Sequence, residues 1–106
     1  MAKIVEPVPG WGRIVWMPPA YEAGYRWISC SLGLVVWADS IRPTPVFAEG
    51  VQIRARKWPD TGQVLPLRIE RGDPEKFEID WDNVPDLRDR VLAMGAEVAR
   101  GMATEY

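Results

Sequence analysis

The chain has no histidine and only one cysteine, Cys30. Without histidine there is no Ser-His-Asp or Cys-His nucleophilic site, no ordinary proton shuttle at neutral pH and no usual zinc ligand. A single thiol makes no intramolecular disulfide and no zinc or iron–sulfur cage. Cys30 sits beside Ile28 in an apolar stretch and reads as a buried, unreactive thiol. A glycine-rich phosphate cradle is also missing, since Gly10-Trp11-Gly12 has neither the lysine nor the strand–loop–helix setting. These absences argue against an enzyme and against a bound cofactor.

Charge of one sign is lacking too. Thirteen basic and fifteen acidic residues leave a net charge of −2, so duplex nucleic acid, which is held through phosphate neutralisation, is not an expected partner. The longest apolar run, Leu32 to Ala38, is far short of the ~20 residues that cross a bilayer. The segment Met1 to Pro7 carries a charge and a proline where a signal peptide needs an apolar core. A cytoplasmic protein with no membrane partner is expected, in the host cytoplasm if the source is viral.

What is present fits one globular domain over residues 1–106, with 47% hydrophobic residues. The pattern is that of an α+β fold, mainly an antiparallel β-sheet of short strands and hairpins with one C-terminal helix packed on it. Residues 3–6 read as a short strand broken by Pro7-Val8-Pro9-Gly10, and residues 13–17 as a second, ended by Pro18-Pro19. Residues 25–30 form a third, Ser31-Leu32-Gly33 a turn, and Leu34 to Ala38 a strand buried on both faces. A loop follows from Asp39 to Pro45, and Glu49-Gly50 reads as a turn. Val51, Ile53 and Ala55 then alternate with Gln52, Arg54 and Arg56. Pro59-Asp60-Thr61-Gly62 signals a hairpin turn into a partner strand over residues 64–70. Phe77, Ile79 and Trp81 alternate with charged residues as a half-buried strand.

A helix is expected over about 84–103. Asp82 or Asn83 would cap it, with Pro85 in the first turn. Leu87, Val91, Met94, Val98 and Met102 fall on one stripe, expected to pack on the sheet face of Phe77, Ile79 and Trp81. Asp86 and Arg90 are spaced to pair along the wet face.

Two charge clusters invite chemistry. Glu78, Asp80 and Asp82 lie on one strand face, where pairing with Arg54, Arg56 or Arg68 is expected in place of metal coordination. Arg54, Arg56 and Lys57 with Trp58 form a basic-aromatic cluster. Six tryptophans are the most unusual feature. Trp37 and Trp81 read as core, Trp16 and Trp27 as core or interface, and Trp11 and Trp58 as exposed. An exposed tryptophan beside arginine marks an interface hot spot or a stacking platform. The candidate binding residues are therefore Trp58, Arg54, Arg56, Lys57 and Trp11, with no catalytic or metal-binding set.

The function expected is a non-enzymatic binding or inhibitor protein that occupies the surface of a protein partner. This is the character of small phage or mobile-element accessory proteins that act against host defence. A second reading is a small-ligand or nucleotide binder using a Trp/Arg pocket between subunits. A third is a virion or assembly component. Unpaired strand edges and surplus tryptophans make a homo-oligomer the expected state in each.

Overall fold

The computed structural model of the chain describes residues 4–19 and 27–104. It is an α+β fold with five antiparallel strands and a C-terminal helix. The strands are β1 (Pro7–Trp16), β2 (Trp27–Ala38), β3 (Ile41–Arg54), β4 (Val64–Glu70) and β5 (Asp73–Ile79). Two 3-10 turns, Ala55–Lys57 and Trp81–Asn83, precede β4 and the helix α1 (Leu87–Thr104).

The strand order is β3-β2-β1-β4-β5. Three strands meander and the fourth returns to lie beside the first, which is Greek-key connectivity. Every pairing is antiparallel, so the two edge strands run parallel to each other. The sheet curls until β3 and β5 approach without pairing, giving a partly open barrel with the cyclic order 1-2-3-5-4. Its interior holds Ile14, Leu32, Leu34, Val36, Ile53, Leu65, Leu67 and Ile69, all 2% exposed or less.

Several strands are longer than the sequence pattern indicates. Pro7 and Pro9 do not break β1. Even-numbered β1 residues bond toward β4, as Ile14 does with Gly62 and Gln63, so the odd prolines point their missing N–H toward β2. Pairing with β2 begins only at Trp11↔Trp37, so no ladder bond is lost. Residues 4–6 are not strand, and the start of the expected first strand lies outside the described residues, as do Tyr25 and Arg26 of the third. Ser31-Leu32-Gly33 is not a turn but the middle of β2. Asp39-Ser40 alone turns the chain into β3, an edge strand that tolerates Pro43 and Pro45. Glu49-Gly50 is a bulge inside β3, with Gly50 at φ +67°.

The Thr61-Gly62 turn forms, with Gly62 at φ +91°, but it does not join a hairpin. β4 pairs with β1 and β5, not with β3. The 3-10 turn Ala55–Lys57 redirects the chain, and Gly62 N–H donates to the Ile14 carbonyl at 2.6 Å, tying the turn to β1. Pro66 directs its carbonyl to the Asp80 N–H, 3.0 Å away on the β5 side, so its missing donor is off the β1 ladder.

The expected docking of the helix on the sheet is corrected by the structure. α1 starts at Leu87 because the 3-10 turn and Pro85 occupy the preceding residues. Leu87, Val91, Met94, Val98 and Met102 are 45–63% exposed, and no helix residue joins the core. The inward faces of the five strands already fill the barrel, leaving no open inner face for a helix to cover. α1 is instead held near its start. Arg90, 12% exposed in its side chain, donates to the carbonyl of Trp58 and to Gln63, and meets Asp60 at 3.2 Å. Asp86, the expected partner of Arg90, pairs with Arg56 at 3.1 Å.

Two stability outcomes follow. A Cβ on Gly10 would lie 2.5 Å from Ile69 Cδ1 and 2.6 Å from the Trp37 carbonyl oxygen, so Gly10→Ala is expected to destabilise the fold by ~1–3 kcal/mol in thermal or urea melts. Leu87→Ala, by contrast, removes an exposed side chain and is expected to stay within ~0.5 kcal/mol of the parent.

Candidate functional site

The Leu34–Ala38 run is not buried on both faces. Leu34, Val36 and Ala38 point into the barrel, while Val35 and Trp37 stay half-exposed on its outside. The register of β1, β2 and β4 sets Pro66, Trp11 and Trp37 side by side, then Val64, Arg13 and Val35, with Pro45 of β3 beyond. A bulge after Ile14 then sets Trp16 opposite Gly33, and Phe47 faces Gly33 from the other side. A Cβ at Gly33 would lie 3.3 Å from Trp16 Cβ, a tight contact that the glycine avoids.

The result is a continuous outer surface. Trp11 and Trp37 stack with centroids 6.3 Å apart, and Trp16 and Phe47 meet at 6.0 Å. Trp16 is 51% exposed and Phe47 62%. Arg13 lies between the two aromatic pairs, exposed and with no partner among the described residues. These three rows carry no carboxylate and no lysine. At the far end of β2, Arg54 Cζ lies 5.2 Å above the Trp27 ring, a cation–π contact at an exposed site.

The sequence-derived set is brought together only in part, with Arg54, Arg56 and Lys57 in one place and Trp11 in another. Trp11 is exposed on β1, in the outer surface just described. Trp58 is half-buried and packs against the core. Arg56 pairs with Asp86, and Lys57 Nζ donates to the Trp81 carbonyl at 2.5 Å. Arg54, Arg56 and Lys57 line a shallow depression with Asp82, Asp86 and Asp89, three cations balanced by three carboxylates. Trp81 is half-buried on its 3-10 turn, and Trp37 is an outer-surface residue because its register partner is Trp11. Alternation within β1 and β2 was the available signal for the outer surface. It was obscured because both faces of β2 are apolar.

Glu78 and Asp80 each lie 3.6 Å from Arg68, the charge pairing expected of that strand face. Among the described residues no group of three or more histidine, cysteine, aspartate or glutamate side chains could hold a metal. The seam between β3 and β5 opens a groove of about 580 Å³ whose walls include Trp27, Phe47, Phe77 and Trp81 together with Glu75 and Glu78, so Phe47 borders both the outer surface and the groove. No helix among the described residues is long and apolar enough to cross a membrane. No protein-family model, curated protein or solved structure matches the chain.

Two groups have shifted ionisation. Burial pushes the Cys30 thiol up, which keeps it protonated and poorly nucleophilic. The Glu70 carboxyl is held below the usual range, first by the Glu6 N–H and then by that of Val5, at 2.7 and 3.2 Å. Hydrogen bonds to the ionised form favour it. A carboxylate whose folded pKa is depressed contributes stability above its unfolded pKa and loses it as pH falls through the folded value. Glu70→Gln is therefore expected to be less stable than the parent at neutral pH. The gap should close as melts are repeated below the ordinary carboxylate range.

Proposed function

We propose that the protein is a non-enzymatic binding protein whose working surface is the outer face of β1, β2 and β3, and that its partner is another protein. The observation that carries this reading is the exposed patch of Trp11, Trp37, Trp16 and Phe47 around Arg13, which has no partner among the described residues. Interface cores are enriched in aromatics and arginine and depleted of lysine and carboxylates, and this patch has that composition. A track for single-stranded nucleic acid would need a row of cations along the aromatics, and here there is one arginine. Binding through such a face acts by cover. A small accessory protein, of a phage or mobile element, would inhibit a host component in the cytoplasm by occupying its surface. The same reading has the protein working as a homo-oligomer.

A ligand-binding reading is favoured by one observation. The groove between β3 and β5 falls within the ~300–1,000 Å³ of small-molecule sites and has aromatic walls. Its cation, Arg68, is already paired with Glu78 and Asp80, which weakens the case for an anionic ligand there.

The test is a comparison of the parent with Trp16→Ser/Phe47→Ser and Arg13→Ala, both altering exposed side chains and expected to keep the parent's melting behaviour. A protein captured from lysate of the native source should be purified and its affinity measured directly. Loss of ~2 kcal/mol or more, about thirtyfold in Kd, is expected for the aromatic pair. Equal affinity for parent and variants would move the site elsewhere. Saturable nucleotide binding that is lost in Phe77→Ala would favour the groove.

A further inference from the structure

We propose that the seam between β3 and β5 takes up an extended, basic peptide segment of another protein, which runs antiparallel to both strands and adds to the barrel between them. The inference goes beyond the outer-face partner and does not rest on it. β3 and β5 are the two edges of the sheet and run parallel to each other. A segment antiparallel to both continues the alternation that every existing pair obeys. No backbone hydrogen bond joins the two edges among the described residues. Their outward groups follow from the ladders. The Asp80 N–H donates to the Pro66 carbonyl, one step beyond the Leu67↔Ile79 pair, so Phe77 and Ile79 turn their own N–H and C=O groups toward the seam. On β3, Val46 and Thr44 bond toward Leu34 and Val36 of β2, and Val51 and Ile53 toward Cys30 and Ile28. Phe47 and Gln52, on either side of the Glu49-Gly50 bulge, therefore face the seam as well. Unpaired edges of this kind are templates for strand addition.

The groove between these edges selects the chemistry of the segment. Val46 and Ile79 line it as buried residues, and Val51, Phe77 and Trp81 as half-buried ones. Side chains of an added strand alternate, so every second one meets these apolar residues and the others face solvent. Glu49 and Glu75 also line the groove, both exposed and without an ion-pair partner among the described residues. The third carboxylate, Glu78, is taken by Arg68, the one cation among the described lining residues. The unbalanced charge is thus negative, and lysine or arginine at alternate positions of the segment complements it. Where the two strands come closest their Cα atoms lie within 8 Å. A strand between them needs about 9–10 Å. The seam therefore widens at that point on binding, and the widening breaks no bond between the two edges.

The probe is a capped peptide of about eight residues, lysine alternating with valine, titrated into the full chain by isothermal calorimetry. Saturable binding is expected, with the Phe77 and Ile79 amides protected from hydrogen exchange in the complex. Glu49→Gln/Glu75→Gln alters exposed side chains and should keep the parent's melting while losing about tenfold in affinity. The same peptide with glutamate for lysine should not bind. Methylating the peptide nitrogens at either alternate set of positions should abolish binding, since one set faces β3 and the other β5. Trp16→Ser lies on the outer surface and should bind the peptide as the parent does, which separates the seam from the outer-face partner. No saturable binding at millimolar peptide would overturn the proposal, as would equal affinity in Glu49→Gln/Glu75→Gln. Tolerance of methylation at one set would overturn insertion between the two edges. Binding that Trp16→Ser removes would overturn the seam as the place where the peptide docks.

Discussion

The barrel depends on the close approach of β1 to the strands on either side of it. β1 alone pairs with both the β2–β3 half and the β4–β5 half of the sheet. Its inward positions are Val8, Gly10, Gly12 and Ile14, and the two glycines leave the space that Ile69, Leu67 and Leu34 fill. Side chains there would push those residues outward and flatten the curl. The curl in turn brings β3 and β5 side by side. The two edges approach without pairing, so the barrel ends there in a groove and not a closed ladder.

Filling the interior from the strands, with Pro59 and Val84 closing it, has a consequence for the rest of the chain. The surplus apolar residues have no place inside. Those on the strands make the outer aromatic surface around Arg13, and those on α1 make an exposed stripe. The two surfaces differ in chemistry. The strand face is rigid, aromatic and held in register by a central ladder, which suits a partner of fixed shape. The helix stripe is aliphatic and stands in solvent. The charged depression around Arg56 and Asp86 holds the helix start against the barrel.

Much of the architecture was legible in the sequence because its signals are local. Turn chemistry marked Gly62, alternation marked Phe77 and Ile79, and the stripe from Leu87 to Met102 marked α1 within about three residues. Arg68 was among the expected partners of Glu78 and Asp80. Prolines misled, because Pro7 and Pro9 sit where the missing N–H points away from the β4 ladder, and Pro43 and Pro45 lie on an edge strand, and both depend on which strand lies on which side. The candidate site was legible only in part. Trp11 was marked as exposed, but Trp58 packs against the core, and Arg56 and Lys57 have partners from the segment before α1.

By itself, the sequence determined the α+β class, the helix, the exposure of Trp11 and the want of histidine, cysteine pairs and charge surplus, because each follows from composition or from spacing along one segment. Only the tertiary structure decided that β4 returns to β1, that Trp37 stacks on Trp11, and that the helix stripe faces away from the barrel. An apolar side chain is equally at home inside a barrel and under a partner. Which of the two it meets depends on how much interior the curled sheet encloses, and the spacing of residues along a strand does not carry that volume.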